Sequence, residues 1–366
     1  MEMYVLNQDF EKIALIDAYE SLLWTDRYNK PGDFEIYTPV ADFALQYPVT
    51  DNYLQIKESD HTMIIEDITI ESNVDTGNHI KIVGRSLESI LDRRIVWKQT
   101  DIDGNLQNGI SKLLYANIIG GDGSTNKPAI VGGDDRKITN FIFEESDDPA
   151  ITELTMEAQY TGDNLLSIIE NLCEVNEIGF MITLNDQNQF VFKLYKGTDR
   201  SYRQESLPYV VFKPTFENII NSNYSERHSE AKNITLVAGD GEGNSRVTRV
   251  VGSGTGLLRK ELFTDARDIQ SKDMSTSAYY AKLDERGKEK LKEYKIDKTF
   301  DGECETTRMY VYQRDFFMGD CVQVANEYGM ESPTRIIEYI WSSSASGTTS
   351  YPTFEALDYE VEEEEE

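Results

Sequence analysis

Cysteine is scarce in this sequence of 366 residues: Cys173, Cys304 and Cys321 are widely spaced and odd in number. That argues against a disulfide scaffold and for synthesis in a reducing compartment, a cytoplasm. Histidine is as scarce, and none of His61, His79 and His228 has a second histidine or cysteine at metal-ligand spacing. HExxH, CxxC, GxSxG and P-loop patterns do not occur, so zinc chemistry, a serine elbow and nucleotide binding find no motif. His61 and His79 stand beside expected turns and read as solvated. No apolar run reaches the roughly 20 residues that a spanning helix needs, which argues against membrane insertion. The start, MEMYVLNQDFEK, has acids where a signal peptide needs a basic and then an apolar stretch. Basic residues are the last shortage: 36 Lys and Arg face 66 Asp and Glu, a formal charge of −30. Such a field repels phosphates and argues against sequence-specific or non-specific nucleic-acid binding. Solubility alone is the plainer reading of that charge.

What the chain has in quantity is tyrosine and phenylalanine, 21 and 15, in a composition too apolar for a disordered protein. The first hundred residues read as seven short strands: 4–7, 14–19, 21–28, 33–39, 53–58, 63–72 and 79–85. Turn segments NKPGD, ESDH and NVDTGN separate them. A short helix is expected over 86–96 with Ser86 as its cap. From about 100 to 207 the texture becomes α+β. Helical spacing covers 105–119 and 161–176, the latter capped by Thr161 or Asp163, and IGFMITL and QFVFKLY form a hairpin around NDQNQ. Strands return after 208, a polar surface helix is expected over 275–295, and strands resume from Thr299, among them MYVYQRDF at 309–316. The last five residues are glutamate and read as a frayed, solvated tail.

The acid- and glycine-rich loops are weak candidates for chemistry. DIDGN at 101–105 begins like a calcium loop, but Gly104 falls at position four and Lys112 at position twelve, so a plain Asp-Gly turn is expected. GDGEGN (239–244) and GSGTG (252–256) lack the residues that close a phosphate loop and read as mobile hairpin loops. Asp199 and Arg200 in GTDRS read as an ion pair that pins a turn. No catalytic, cofactor-binding or metal residue is nominated, and pattern singles out no carboxylate pair of the kind a glycosidase uses among the 66 acids.

One stretch repeats. DRYNKPGDFEIYTPV at 26–40 contains a Gly-Asp turn, Gly32-Asp33, and then a strand whose alternation is imperfect. MGDCVQVANE at 318–327 repeats the arrangement with Gly319-Asp320. Downstream of each lies Ile-Ile-Glu, at 64–66 and 336–338, and then another turn and strand. Two readings stay open: chance likeness of strand-rich segments, or two related β-domains near the two ends of the chain. On either, Gly32, Asp33, Gly319 and Asp320 are structural turn residues.

The joint order of these segments, with IVGRSLESILDRRIV, TGDNLLSIIENLCEVNEIGFMITLNDQNQFVFKLYKGTDRS, GLLRKELFTDARDI, LDERGKEKL and RDFFMGDCVQVANEYG, resembles the tail hub or tail-associated proteins of siphophages and prophages. These are relatives of the baseplate hub of contractile-tailed phages, and the resemblance spans about 4–357. It implies a β-rich α+β fold with two related β-barrel-like tube domains and α/β insertion domains. The first tube domain would be 1–98, an α/β insertion 99–207, and the second tube domain 208–238 plus 299–358. A loop-and-helix insertion would occupy 239–298, and 359–366 an acidic tail. It implies a structural protein of the virion tail tip, synthesised and assembled in the bacterial cytoplasm, rather than an enzyme, without cofactor, forming a homotrimer. Its expected partners are a distal tail ring or tail tube protein and the tape-measure protein, around a channel that DNA crosses. An acidic channel wall would keep DNA from sticking. A tail-associated enzyme degrading cell wall or polysaccharide is the alternative. The chain stops at Glu366 without room for the lytic or fibre region many relatives carry, so no lytic activity is carried over.

Overall fold

In the computed structural model, residues 1–40, 46–74, 77–272, 274–306 and 308–357 are described. The acidic tail expected at 359–366 lies outside them. The chain is α+β and rich in strand. Its N-terminal region holds β1 (Met3–Leu6), β2 (Lys12–Ile16), β3 (Ser21–Arg27), β4 (Asp33–Pro39), β5 (Tyr53–Ile56), β6 (Thr62–Asn73) and β7 (Gly77–Ser86). The middle contributes β8 (Thr100–Asn105), β9 (Phe141–Glu144), β10 (Thr155–Tyr160), β11 (Gly179–Leu184) and β12 (Phe190–Tyr195). Next come β13 (Val211–Phe212), β14 (Ile219–Arg227), β15 (Ile234–Ala238), β16 (Thr248–Gly252) and β17 (Glu261–Asp265). The last four are β18 (Asp297–Cys304), β19 (Cys321–Ala325), β20 (Glu331–Ser344) and β21 (Gly347–Ala356).

The two ends of the chain are spliced into one sheet. Along it the order is β14-β18-β21-β20-β3-β4-β7-β6-β5-β1-β2, with β19 and β13 attached beside β20, thirteen strands in all. The splice is the antiparallel pair β3–β20, in which Trp24 lies opposite Trp341. Among the described residues, no pairing closes this path into a barrel. The alternation that looked imperfect after Gly32 is regular: Phe34, Ile36 and Thr38 point inward, and Tyr37 stays outside, stacked on His79 at 4.7 Å. Both Ile-Ile-Glu segments carry a bulge. The register of β6 on β7 slips between Ile65 and Asp67, and that of β20 on β21 slips between Ile336 and Glu338. An extra residue at such a point bends and twists the strand. Glu66 then meets Arg85 at 2.9 Å, and Glu338 meets Arg27 at 2.6 Å.

A second core belongs to the middle region. Helices α1 (Leu106–Leu114) and α2 (Leu165–Val175) bury Ile110, Leu113, Ile168, Ile169 and Leu172 with Phe180 and Phe192 of β11 and β12. The cap of α2 is Asn164, whose side chain accepts the Ser167 N–H, rather than Thr161 or Asp163. Ser86 caps nothing in the 3-10 helix Leu87–Arg93 that follows it; its Oγ instead accepts the Gly32 N–H at 2.7 Å.

Other expectations fail for local reasons. DIDGN is strand β8, paired antiparallel to β10, because Gly104 takes φ +95° inside the ladder without a neighbour in its way. MYVYQRDF is no strand: Gln313 turns at φ +62°, and Asp315 accepts the Val311 N–H, leaving a single Tyr312–Phe316 bridge. GDGEGN does join an antiparallel pair, β15 and β16. GSGTG does not, because β17 runs parallel to β15 on its other side and the link must cross over. The polar helix α3 (Thr276–Glu293) lies on β15–β17 through Tyr279 and Leu283, but its charged side is also covered. Lys282 is buried against Asp101 and Asp103 at 2.8 and 3.0 Å, and Glu289 accepts the Tyr160 hydroxyl at 2.9 Å.

Candidate functional site at a three-way junction

The N-terminal, middle and C-terminal regions converge on Tyr28, the residue after β3. Its backbone N–H donates to Ile337 O (3.0 Å), and its carbonyl accepts the Phe180 N–H of β11 (3.2 Å). Its hydroxyl donates to Glu177 O at 3.1 Å. Burial raises the phenol to about 12, so it remains a donor throughout the physiological range. Three glycines make room around it. A methyl group on Gly179 would sit 2.5 Å from the Tyr28 ring and one on Gly319 2.1 Å from it, while one on Gly197 would lie 1.9 Å from the Gly319 carbonyl carbon. Arg335 closes the assembly, with its guanidinium 5.6 Å from the Tyr28 ring centre and bonded to Glu177 O and Oε2 at 2.7 and 2.8 Å.

Both Gly-Asp turns press on this strand end. Gly32 lies against Thr25, where a Cβ would come within 2.2 Å of the backbone oxygen. Its neighbour Asp33 is half exposed and pairs with Arg27 at 2.7 Å. Gly319 takes φ +84°, open to few residues other than glycine. The carboxylate of Asp320 beside it is buried and accepts three hydrogen bonds from two regions: the Thr198 N–H at 2.7 Å, Arg200 Nε at 2.9 Å and the Phe317 N–H at 3.0 Å. Arg200 is therefore paired across the junction, while Asp199 holds Arg203 (3.0 Å) and Ser201, so the expected Asp199–Arg200 pair does not form.

Next to the junction is a cavity of about 300 Å³ whose lining includes Asp26, Asp60, His61, Tyr195, Tyr312 and Asp320. His61 and His79 are buried, against the expectation of solvated turn histidines. His61 Nδ1 lies 3.2 Å from Glu88 Oε1, an ion-pair distance without hydrogen-bond alignment. Burial opposes charging this imidazole, but the carboxylates of Asp26 and Glu88 outweigh it and hold His61 at about 9. Burial likewise works against the Glu88 charge, and His61 with the Ser86 and Ile182 donors keeps it below the usual glutamate range. Asp26 is pushed up by burial, although it accepts Trp24 Nε1 at 3.0 Å and the Ser59 hydroxyl at 2.6 Å. Glu88 Oε1 also accepts the Ile182 N–H of β11 at 2.7 Å, so the cluster ties the first sheet region to the middle one. Its chemistry is that of a clamp, in which charges neutralise one another across chain regions.

Tyr28, Glu88, Glu177 and Arg335 were not singled out in the sequence, and His61 was read only as a solvated turn histidine. The readable signals were an acid within the apolar segment LESIL and Asp26 inside SLLWTDRY. Among the described residues, no three His, Cys, Asp or Glu side chains are placed to share a metal ion, and no helix is long and apolar enough to cross a membrane.

A family model described as siphovirus ReqiPepy6 Gp37-like protein matches residues 2–354. No curated protein matches the sequence. Among solved structures, the chain is similar to the tail protein from Neisseria meningitidis MC58, at 12% identity and TM-score 0.57 over 97% of this chain and 96% of that one. It is similar to the 43 kDa tail protein of prophage MuSo2 from Shewanella oneidensis, at 11% identity and TM-score 0.56 over 97% and 98%. The prophage tail protein gp18 from Listeria monocytogenes EGD-e aligns at 12% identity and TM-score 0.55 over 97% and 94%. At such identities the likeness is one of fold.

Proposed function

Because the chain belongs to the siphovirus ReqiPepy6 Gp37-like family, we propose that it is a structural phage or prophage tail protein forming a trimeric hub ring at the tail tip. The ring adapts the tail tube or distal tail ring to the tip components, around a channel for DNA and the tape-measure protein. The observation that carries this reading is end-to-end fold likeness to three tail proteins, which covers 94–98% of each of them and 97% of this chain. Residues 1–98 and 208–238 plus 299–358 are the two related tube-type β-domains of the proposal, with 99–207 and 239–298 inserted. Support for their kinship comes from the bulge that each Ile-Ile-Glu segment carries and from the acid–arginine pair beside it. In this role the buried clamp at Tyr28 and His61 is scaffolding that fixes the insertions against the sheet.

Electron microscopy of the purified protein, with its mass measured in solution, tests the proposal. A threefold ring with a central hole is expected, at three times the mass of one chain. A compact monomer at high concentration, both alone and with its neighbouring tail proteins, would sink it. Incubation with purified cell walls addresses enzymatic action, and no release of sugars or muropeptides is expected.

A further inference from the structure

The chain has three tryptophans, and they differ in exposure. Trp24 and Trp341 are buried in the large sheet, whereas Trp97, just past the 3-10 helix Leu87–Arg93, is 54% exposed. Its indole is nevertheless held in place. The guanidinium of Arg136 lies 4.4 Å from the ring centre. Arg136 is itself buried and bonded to Val131 O, Ile95 O and Asn117 Oδ1 at 2.7, 2.9 and 3.3 Å. Gly132 packs beside it: a methyl group there would come 2.4 Å from the indole and 3.2 Å from Arg136 Cδ, and its φ of +88° favours glycine as well. Gly132 and Arg136 together back the ring, and what stays open is an aromatic surface on a rigid support.

The rim around this surface is charged. Trp97 lines a surface cavity of about 320 Å³ with Asp92, Arg94 and Asp135, at the small end of the range for small-molecule sites. Arg94 bonds only to backbone, with Nε and Nη2 on Arg136 O at 3.2 and 3.1 Å and Nη1 on Arg93 O at 2.9 Å. Those three bonds leave two of its five N–H groups free. Among the described residues it has no carboxylate partner, in a chain where acids outnumber Lys and Arg by 30. Burial, and after it the neighbouring Arg94, make Arg136 give up its proton more readily than an ordinary arginine. Asp92 is engaged by Arg85 and Asn164 at 3.1 and 2.9 Å, while Asp135 is exposed.

We propose that this cavity binds a pyranose ring of an acidic saccharide. The C–H face of the sugar lies on the open indole, its carboxylate accepts the free N–H groups of Arg94, and its hydroxyls donate to Asp135. A bare anion would leave the indole unused. A nucleotide would bring phosphates into the field of a chain carrying −30. A purely apolar ligand would strip water from the charged rim without replacing its bonds. A ring with one apolar face and a hydroxylated, carboxylated edge satisfies every group present. The site is independent of the ring reading above and involves binding alone, with no bond cleaved.

The full chain tests this through its own fluorescence, because acrylamide reaches the exposed Trp97 and not the buried Trp24 and Trp341. Oligomers of a uronic acid are expected to shield Trp97 at concentrations at least roughly tenfold below those a neutral glucose oligomer needs. Arg94→Gln keeps the fluorophore and should weaken uronate binding at least roughly tenfold while leaving the neutral oligomer unchanged. Trp97→Ala should abolish the heat of uronate binding in calorimetry, with thermal melts as folding controls for both variants. The comparison of ligands uses wild type alone and stands whatever the stability of the variants. Equal shielding by acetate, inorganic phosphate or an acidic peptide would overturn the proposal in favour of a plain anion site. Equal affinity for the neutral oligomer, or undiminished uronate binding in a folded Arg94→Gln chain, would overturn the role given to Arg94 and with it the proposal. Absence of shielding by every probe would overturn it outright.

Discussion

Gly32-Asp33 and Gly319-Asp320 press on the same strand end, Thr25 to Tyr28, by different chemistry. At the first turn the backbone takes an ordinary φ, and the acid is surface chemistry: the Asp33 side chain is 47% exposed beside Arg27. At the second, glycine is required twice, by a left-handed φ and by the Tyr28 ring, and the acid is 3% exposed with donors from two chain regions. Two turns alike in sequence thus differ in what they fasten. The first corners a hairpin between neighbouring strands, and the second joins segments more than a hundred residues apart.

The comparison can be broken most severely at Asp320. Asp320→Ala leaves Arg200 and two backbone N–H groups without their acceptor and should cost roughly 3–5 kcal/mol, as removing one partner of a buried pair does. Equilibrium denaturation of the purified chain reads this directly. Gly319→Ala comes next, at about 3 kcal/mol, from an unfavourable φ together with overlap on Tyr28. Gly32→Ala has only the overlap and should cost about 2 kcal/mol; equal losses at the two glycines would contradict the distinction.

A pH series sharpens the contrast, because the titrating group, His61, belongs to the first sheet region alone. Its folded value, about 9, lies above the ordinary 6.5. The stability it contributes is therefore complete below about pH 6.5 and is lost as pH rises through about 9, for a total on the order of 3 kcal/mol. Melting temperatures between pH 6 and 10 should fall in wild type and flatten in His61→Gln. Asp33→Ala is expected to be the mildest change, under about 1 kcal/mol, since its ion pair is half solvated.

Most strands of the N-terminal region were legible because each shows turn chemistry at its ends and alternation between them; β4 was bounded to the residue. The helices α1 and α2 were legible from their apolar stripes. What the sequence hid were features set by partners far along the chain. His61 reads as a turn residue until Glu88 and Asp26 are brought beside it, and Lys282 reads as a surface lysine until β8 covers it. Tyr28 carries no local mark of its role, because the three glycines around it come from three separate segments. Parallel pairing such as β15 with β17 is invisible to hairpin logic, which expects consecutive strands to be antiparallel neighbours.

The splice between β3 and β20 also sets a clock. Arg27 and its partner Glu338 are 311 residues apart, so at a synthesis rate of about 5–20 residues per second β3 waits roughly 15–60 s for its neighbour. During that wait its unpaired N–H and C=O groups are a template for any other strand, including one from a nascent copy on the same message. The sheet can be completed only after β20 has been made, so a correctly paired β3 cannot precede the emergence of the segment around Glu338.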